Sequence, residues 1–117
     1  MIYPVSNALS ALNAFRKKMD VTADNIANVN TDNFKKSRVN MQEGSNGDVQ
    51  ANIQQINTPG YPKEVYQDDA LVQVESSNVD LVEEVTEMVV AKAGFSANLK
   101  TVSTQDRVLG SLLDILG

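Results

Sequence analysis

The carboxyl-terminal third of the chain places Leu81, Val85, Met88, Phe95, Leu99, Val102, Leu109, Leu113 and Leu116 at alternating steps of four and three, interrupted only by Lys92 and Asp106. A mean step of about 3.5 residues keeps such a stripe on one helix face for many turns, so the face needs a partner along its length. The other end of the chain offers one. Val5, Leu9, Leu12, Arg16, Met19, Ala23 and Ile26 repeat the rhythm, with Ala8, Phe15, Thr22 and Val29 widening the apolar face. The pattern predicts a mainly α fold. Its N- and C-terminal helices pair as an antiparallel coiled coil, joined by a short β-hairpin or extended middle segment.

With 117 residues there is room for one small domain, divided into an N-terminal helix (1–30), an extended or β-rich middle (31–76) and a C-terminal helix (77–117). Cysteine and histidine are both absent. That removes disulfides, thiolate nucleophiles, imidazole bases and the usual zinc ligands, so no catalytic residue, cofactor or metal is assigned. The chain contains no phosphate-binding glycine loop and no nucleophile elbow. It has no run long and apolar enough to insert in a membrane, and its start lacks the basic and apolar regions of a cleaved signal. Export from the cytoplasm would need a route that reads something else.

Charge is uneven along the chain. Residues 1–40 carry a net +3, residues 41–87 a net -9 and residues 88–117 a net +1. Opposed sections either steer association between copies or are solvated faces. Lys17-Lys18 and Lys35-Lys36-Ser37-Arg38 lack interleaved stacking aromatics, and the whole chain is acidic, so nucleic acid is not a partner.

Residues 6–28 read as a helix capped by Ser6 or Asn7 and stopped by the Asn- and Asp-rich stretch 28–33. Val39 and Met41, then Val49, Ala51 and Ile53, alternate on either side of Asn46-Gly47, a hairpin signal whose loop length Gly44 and Ser45 leave open. Pro59-Gly60 fits a type II turn, and Val72 to Glu75 form a last short alternation. Ser77 to Asp80 has capping-box spacing, and Glu83, Glu84 and Glu87 put negative charge on the first turns of the helix that follows. Unbroken to residue 116, that helix would be about 57 Å long against roughly 34 Å for the first, leaving an overhang of about 20 Å. Gly94 and the β-branched run at 101–104 could break it, but the heptad phase passes both without a slip, which favours continuity.

Two constellations invite sharper readings. Arg16 and Asp106 would sit at comparable depth in an antiparallel pair, either as a register-fixing charge pair or pointing to solvent, while Lys92 snorkels. Glu83, Glu84 and Glu87 read as a solvated helix face rather than an acid-base or metal cluster.

Asp24-Asn25-Ile26-Ala27-Asn28-Val29-Asn30-Thr31-Asp32-Asn33-Phe34-Lys35-Lys36 and Asn78-Val79-Asp80-Leu81-Val82-Glu83-Glu84, running on through Ala97-Asn98, resemble the terminal motifs of the bacterial flagellar basal-body rod protein family. The short middle most resembles the proximal rod members. The resemblance singles out Asn25, Ile26, Ala27, Asn28, Asn30, Thr31, Phe34, Asn78, Val79 and Asp80. It implies a structural subunit that polymerises with itself and other flagellar rod proteins into the periplasmic drive shaft of the basal body. The flagellar type III export apparatus would carry it without a cleaved signal. Small-molecule substrates, nucleic acid and membrane insertion are not implied.

Asn25 and Asn28 would cap backbone groups at the helix end, with Ile26 sealing the seam. Leu9, Leu12, Phe15, Met19 and Ile26, with the apolar residues of the carboxyl-terminal stripe from Leu81 to Leu116, would pack subunits together. Two positions depart from the family pattern. Asn33 stands where Gly is usual, and Asn tolerates the same left-handed backbone. Ala93-Gly94-Phe95 replaces a more helix-favouring Arg-Ala-Tyr. A soluble helical binding module, such as an export chaperone, and a distal rod or hook-type subunit are the alternatives.

Overall fold

In the computed structural model, residues 2–117 are described, and they form two helices and two β-ribbons. Helix α1 spans Ile2–Ala27. Strands β1 (Ser37–Glu43) and β2 (Val49–Gln55) make hairpin A, β3 (Pro62–Gln67) and β4 (Ala70–Glu75) make hairpin B, and α2 spans Leu81–Leu116. The molecule is elongated, with extents of 79 × 24 × 20 Å.

Helix α2 is continuous through Gly94 and Ser103. Its N-cap is Asp80, whose carboxylate accepts from the amides of Val82 and Glu83. Ser77 accepts instead from the Val79 amide, so one aspartate does what a reciprocal capping box was expected to do. Helix α1 begins earlier than the sequence suggested, leaving Ser6 and Asn7 inside it.

Hairpin A pairs Val39 with Ile53, Met41 with Ala51 and Glu43 with Val49, which gathers its apolar residues on one face. That face lies along α1, where the Val49 amide donates to Ser10 Oγ at 3.0 Å. The connection runs from Gly44 to Asp48, with Gly47 at φ 77°, and is longer than a two-residue Asn-Gly turn.

Hairpin B is read only in part from the sequence: the alternation of Val72 to Glu75 falls in β4, but its partner strand and turn are not anticipated there. Its turn, Asp68-Asp69, puts both residues at positive φ (51° and 60°), the backbone of a type I′ turn without the customary glycine. Pro59-Gly60 does not form the expected type II turn, because Gly60 lacks the positive φ that turn requires. Gly60 instead lets the backbone pass close to the Ser76 carbonyl, where a Cβ would collide.

The expected fold is therefore corrected on two counts. Four strands in two antiparallel sheets make the molecule a mixture of helix and sheet rather than mainly α. A coiled coil built on the leucine stripes is not seen either. The helices lie antiparallel, but the buried side chains between and beside them are Ala8, Ala11, Ala14, Thr22 and Asn25 on α1, with Glu84 and Ala91 on α2. The rotation is set by specific contacts rather than by bulk hydrophobicity. Phe15 lies on Gly94, where any Cβ would strike its ring, and Lys18 reaches Glu87 at 2.7 Å. These contacts turn the leucine stripes toward the edge of the pair, leaving Leu9, Leu81, Val85, Leu99 and Leu109 exposed.

Candidate functional site

The closing of the chain on itself is concentrated where α1 ends, β1 begins and α2 begins. Asn25, fully buried, exchanges two hydrogen bonds with the Ser37 backbone: its Nδ2 donates to the carbonyl at 2.8 Å and its Oδ1 accepts from the amide at 3.0 Å. The same Nδ2 donates to Glu84 Oε2 at 3.1 Å. Glu84 is completely buried, and Arg38 Nη1 reaches its other oxygen at 2.6 Å. A buried carboxylate costs several kcal/mol unless paired and hydrogen-bonded, and here both oxygens have partners.

Around this centre, Glu83 takes Lys36 at 2.9 Å and Arg38 Nη2 at 2.7 Å. Those two hydrogen bonds hold the Glu83 carboxyl below its ordinary range. Burial works to lower the Arg38 pKa, but hydrogen bonds to Glu83 and Glu84 outweigh it and leave the guanidinium more firmly protonated than usual. Lys35 joins Glu75 at 2.7 Å and depresses that carboxyl in the same way. The Lys35-Lys36-Ser37-Arg38 run and the glutamates of α2 are thus each other's partners. The expectation of a solvated glutamate face is overturned for Glu84, which falls in the helix seam one turn before Met88.

Asn78 makes the second clamp. Its Oδ1 accepts from the Lys36 amide at 2.7 Å, while its Nδ2 donates to the carbonyls of Ile56 and Thr58 at 2.8 and 2.9 Å. One side chain thereby fastens the exit of hairpin A to the entry of α2. At the turn after α1, Asn33 adopts φ 61° and its amide donates to the Glu75 carbonyl at 2.9 Å.

These two clamped segments coincide with what known proteins share with the chain. A family model described as "Flagella basal body rod protein" matches residues 6–35, and one described as "Flagellar basal body rod FlgEFG protein C-terminal" matches residues 73–115. The chain belongs to the flagellar basal-body rod protein family.

Among curated relatives, the flagellar basal-body rod protein FlgG of Bacillus subtilis is 48% identical over 42 residues, covering 36% of this chain and 16% of the relative. The flagellar hook protein FlgE of Helicobacter pylori is 46% identical over 43 residues, covering 37% and 6%. FlgE of Escherichia coli is 40% identical over 42 residues, covering 36% and 10%. The chain thus spans a small part of the length of each of these relatives.

Within this rod-family chain the motif residues have distinct positions. Asn25 and Asn78 are the two clamps, and Asp80 is the cap. Asn28 Nδ2 donates to the Asp24 carbonyl at 2.9 Å, and its Oδ1 accepts from Thr31 Oγ1 at 3.0 Å, closing the end of α1. Phe34 accepts from the Asn78 amide, while Ile26 and Val79 are half-buried, Ile26 beside the seam rather than in it. Ala27 and Asn30 are exposed.

The apolar residues divide in two. Phe15, Met88, Phe95 and Val102 are half-buried, as are Leu12 and Met19. Leu113 and Leu116 are 69% and 83% exposed at the far end of α2. Arg16 and Asp106 are exposed and form no ion pair among the described residues, so the register-fixing charge pair is not seen. Lys92 is exposed as expected. No group of carboxylates among the described residues is arranged to hold a metal ion, and no described helix is long and apolar enough to cross a membrane.

Proposed function

We propose that the chain is a structural subunit of the flagellar rod, assembling with other axial proteins into the periplasmic drive shaft. Family membership supports an axial structural role. The observation that carries the reading is the far end of α2. Val108, Leu109, Leu112, Leu113, Ile115 and Leu116 are all exposed, on a helix of 36 residues whose α1 partner has 26. Such a surface is covered when subunits stack, and head-to-tail contacts that do not close generate a helical tube.

In this reading residues 1–30 and 77–117 form the axial helical domain, and 31–76 is the segment inserted between them. Leu99, Leu109, Leu113 and Leu116, with Leu9, supply packing between subunits. Export through the flagellar type III apparatus belongs to the same reading. The compact insertion, two short hairpins, favours a rod position. The FlgE matches keep a hook-type position as the second reading.

Cysteines placed at Asn40 and Leu109 and oxidised in purified basal bodies test this. Cross-links to rod proteins are expected. Cross-links to hook subunits alone would favour the second reading, and absence of the chain from basal bodies would overturn both.

A further inference from the structure

Once the internal ion pairs among the described residues are set aside, hairpin B keeps only acidic side chains, whereas the helices keep unpaired bases (Arg16, Lys17, Lys92, Lys100 and Arg107) beside acids that include Asp20, Asp24, Asp106 and Asp114. Helix α2, at about 54 Å, accounts for most of the long axis. Helix α1 lies beside it and hairpin A lies along α1, so hairpin B, which among the described residues does not pack on either helix, extends the molecule beyond the start of α2 to 79 Å. On hairpin B, Lys63 is taken by Asp32 at 2.5 Å, while Glu64, Asp68 and Asp69 make no ion pair among the described residues. The turn therefore presents two adjacent carboxylates. It does so at left-handed backbone angles that glycine would adopt at lower cost, about 1 kcal/mol per residue. Beside the turn, the cross-strand pair Tyr66 and Leu71 is 73% and 60% exposed, on a two-stranded ribbon too small to be stable by itself in water.

The shaft carries the complement. In an antiparallel pair, residues one step beyond the seam positions fall on the same flank of both helices. Arg16, next to Phe15, and Lys92, next to Ala91, therefore share a flank, and the seating of Phe15 on Gly94 puts them at similar height. Both are exposed. Neither is neutralised among the described residues, although Asp20 lies one turn from Arg16 on its own helix. Leu9 and Leu99, about half exposed, continue this flank.

We propose that the tip of hairpin B in one copy docks on this flank of a second copy, with Asp68 and Asp69 against Arg16 and Lys92. Tyr66 and Leu71 then cover the exposed leucines. The proposal rests on the axial-subunit reading and adds the partner surfaces. The contact is heterologous, joining different surfaces of the two copies, so it propagates rather than closing a dimer. A ribbon tip buries less than the roughly 1,200 Å² of a stable pair, so the contact is weak between free copies and strengthens by repetition.

Because the natural chain has no cysteine, introduced thiols report the contact cleanly. A Gln67→Cys copy is mixed with a Ser96→Cys copy, whose thiol lies at the outer border of the flank one turn from Lys92, or with an Ala97→Cys copy, whose thiol lies on the opposite side of α2. All three variants keep the four charges. Disulfide heterodimers through Ser96→Cys should form at least about tenfold faster, and high salt should erase the difference. Asp68→Lys/Asp69→Lys in the first copy, or Arg16→Glu/Lys92→Glu in the second, should abolish it, and combining the two reversed copies should restore it. Equal rates at both positions, or no rescue, would overturn the contact. If the chain still enters basal bodies, only this contact falls. If the contact forms but the chain is missing from basal bodies, only the rod reading falls.

Discussion

The two ends of α2 are built on opposite principles. At its start, Asp80 caps the helix, Glu83 and Glu84 hold Lys36 and Arg38, and Glu87 holds Lys18. At its finish, Val108, Leu109, Leu112, Leu113, Ile115 and Leu116 are all exposed. The first end is completed by directional bonds inside one chain. The second holds unspent apolar surface and is completed only by contact. Under the proposed rod function, a subunit that travels singly and then polymerises would benefit from both.

The comparison is broken most severely at the start of α2. Arg38→Met leaves the Glu84 carboxylate buried without its counter-charge and should cost about 3 kcal/mol, seen as a large fall in melting temperature by circular dichroism. Gly94→Ala gains about 1 kcal/mol of helix propensity but drives a methyl into the Phe15 ring, and a net loss of about 1–2 kcal/mol is expected from denaturant titration. Asp80→Ala removes the cap and should cost about 1 kcal/mol.

Acid should act in the same direction but more gently, because Glu83 is nearly half exposed. Its folded-state pKa is depressed, so its contribution is fully present above the ordinary glutamate value of 4.5 and is lost as pH falls through the lower folded value. Melting temperature should be insensitive to this group at neutral pH and fall below that value. At the other end, Leu113→Ser should leave the stability of the lone chain within about 0.5 kcal/mol of unchanged in denaturant titration, yet reduce incorporation into basal bodies.

Helix positions, the strands of hairpin A and the left-handed residue at Asn33 were legible because each has a local cause: periodicity, alternation, or a side chain that tolerates positive φ. The facing of the helices was not. A heptad stripe says which residues want cover, but not whether the cover comes from within. Here Asn25 with Glu84, and Phe15 with Gly94, outrank the leucines and rotate them outward. The alternation of β4 was visible, but β3 and the pairing were hidden because the turn is Asp-Asp and the first strand begins with Pro62. Glu84 was misread because charge usually means exposure. Its place in the same helical phase as Met88 and Ala91, opposite Asn25, was the available signal.

The ring of Phe15 resting on the bare backbone at Gly94 acts as a detent between two rods. To roll one helix about the other, the ring must first lift out of its notch, so a torsional load is passed along the pair as shared twist. A shaft assembled from such units would transmit rotation without its components creeping past one another.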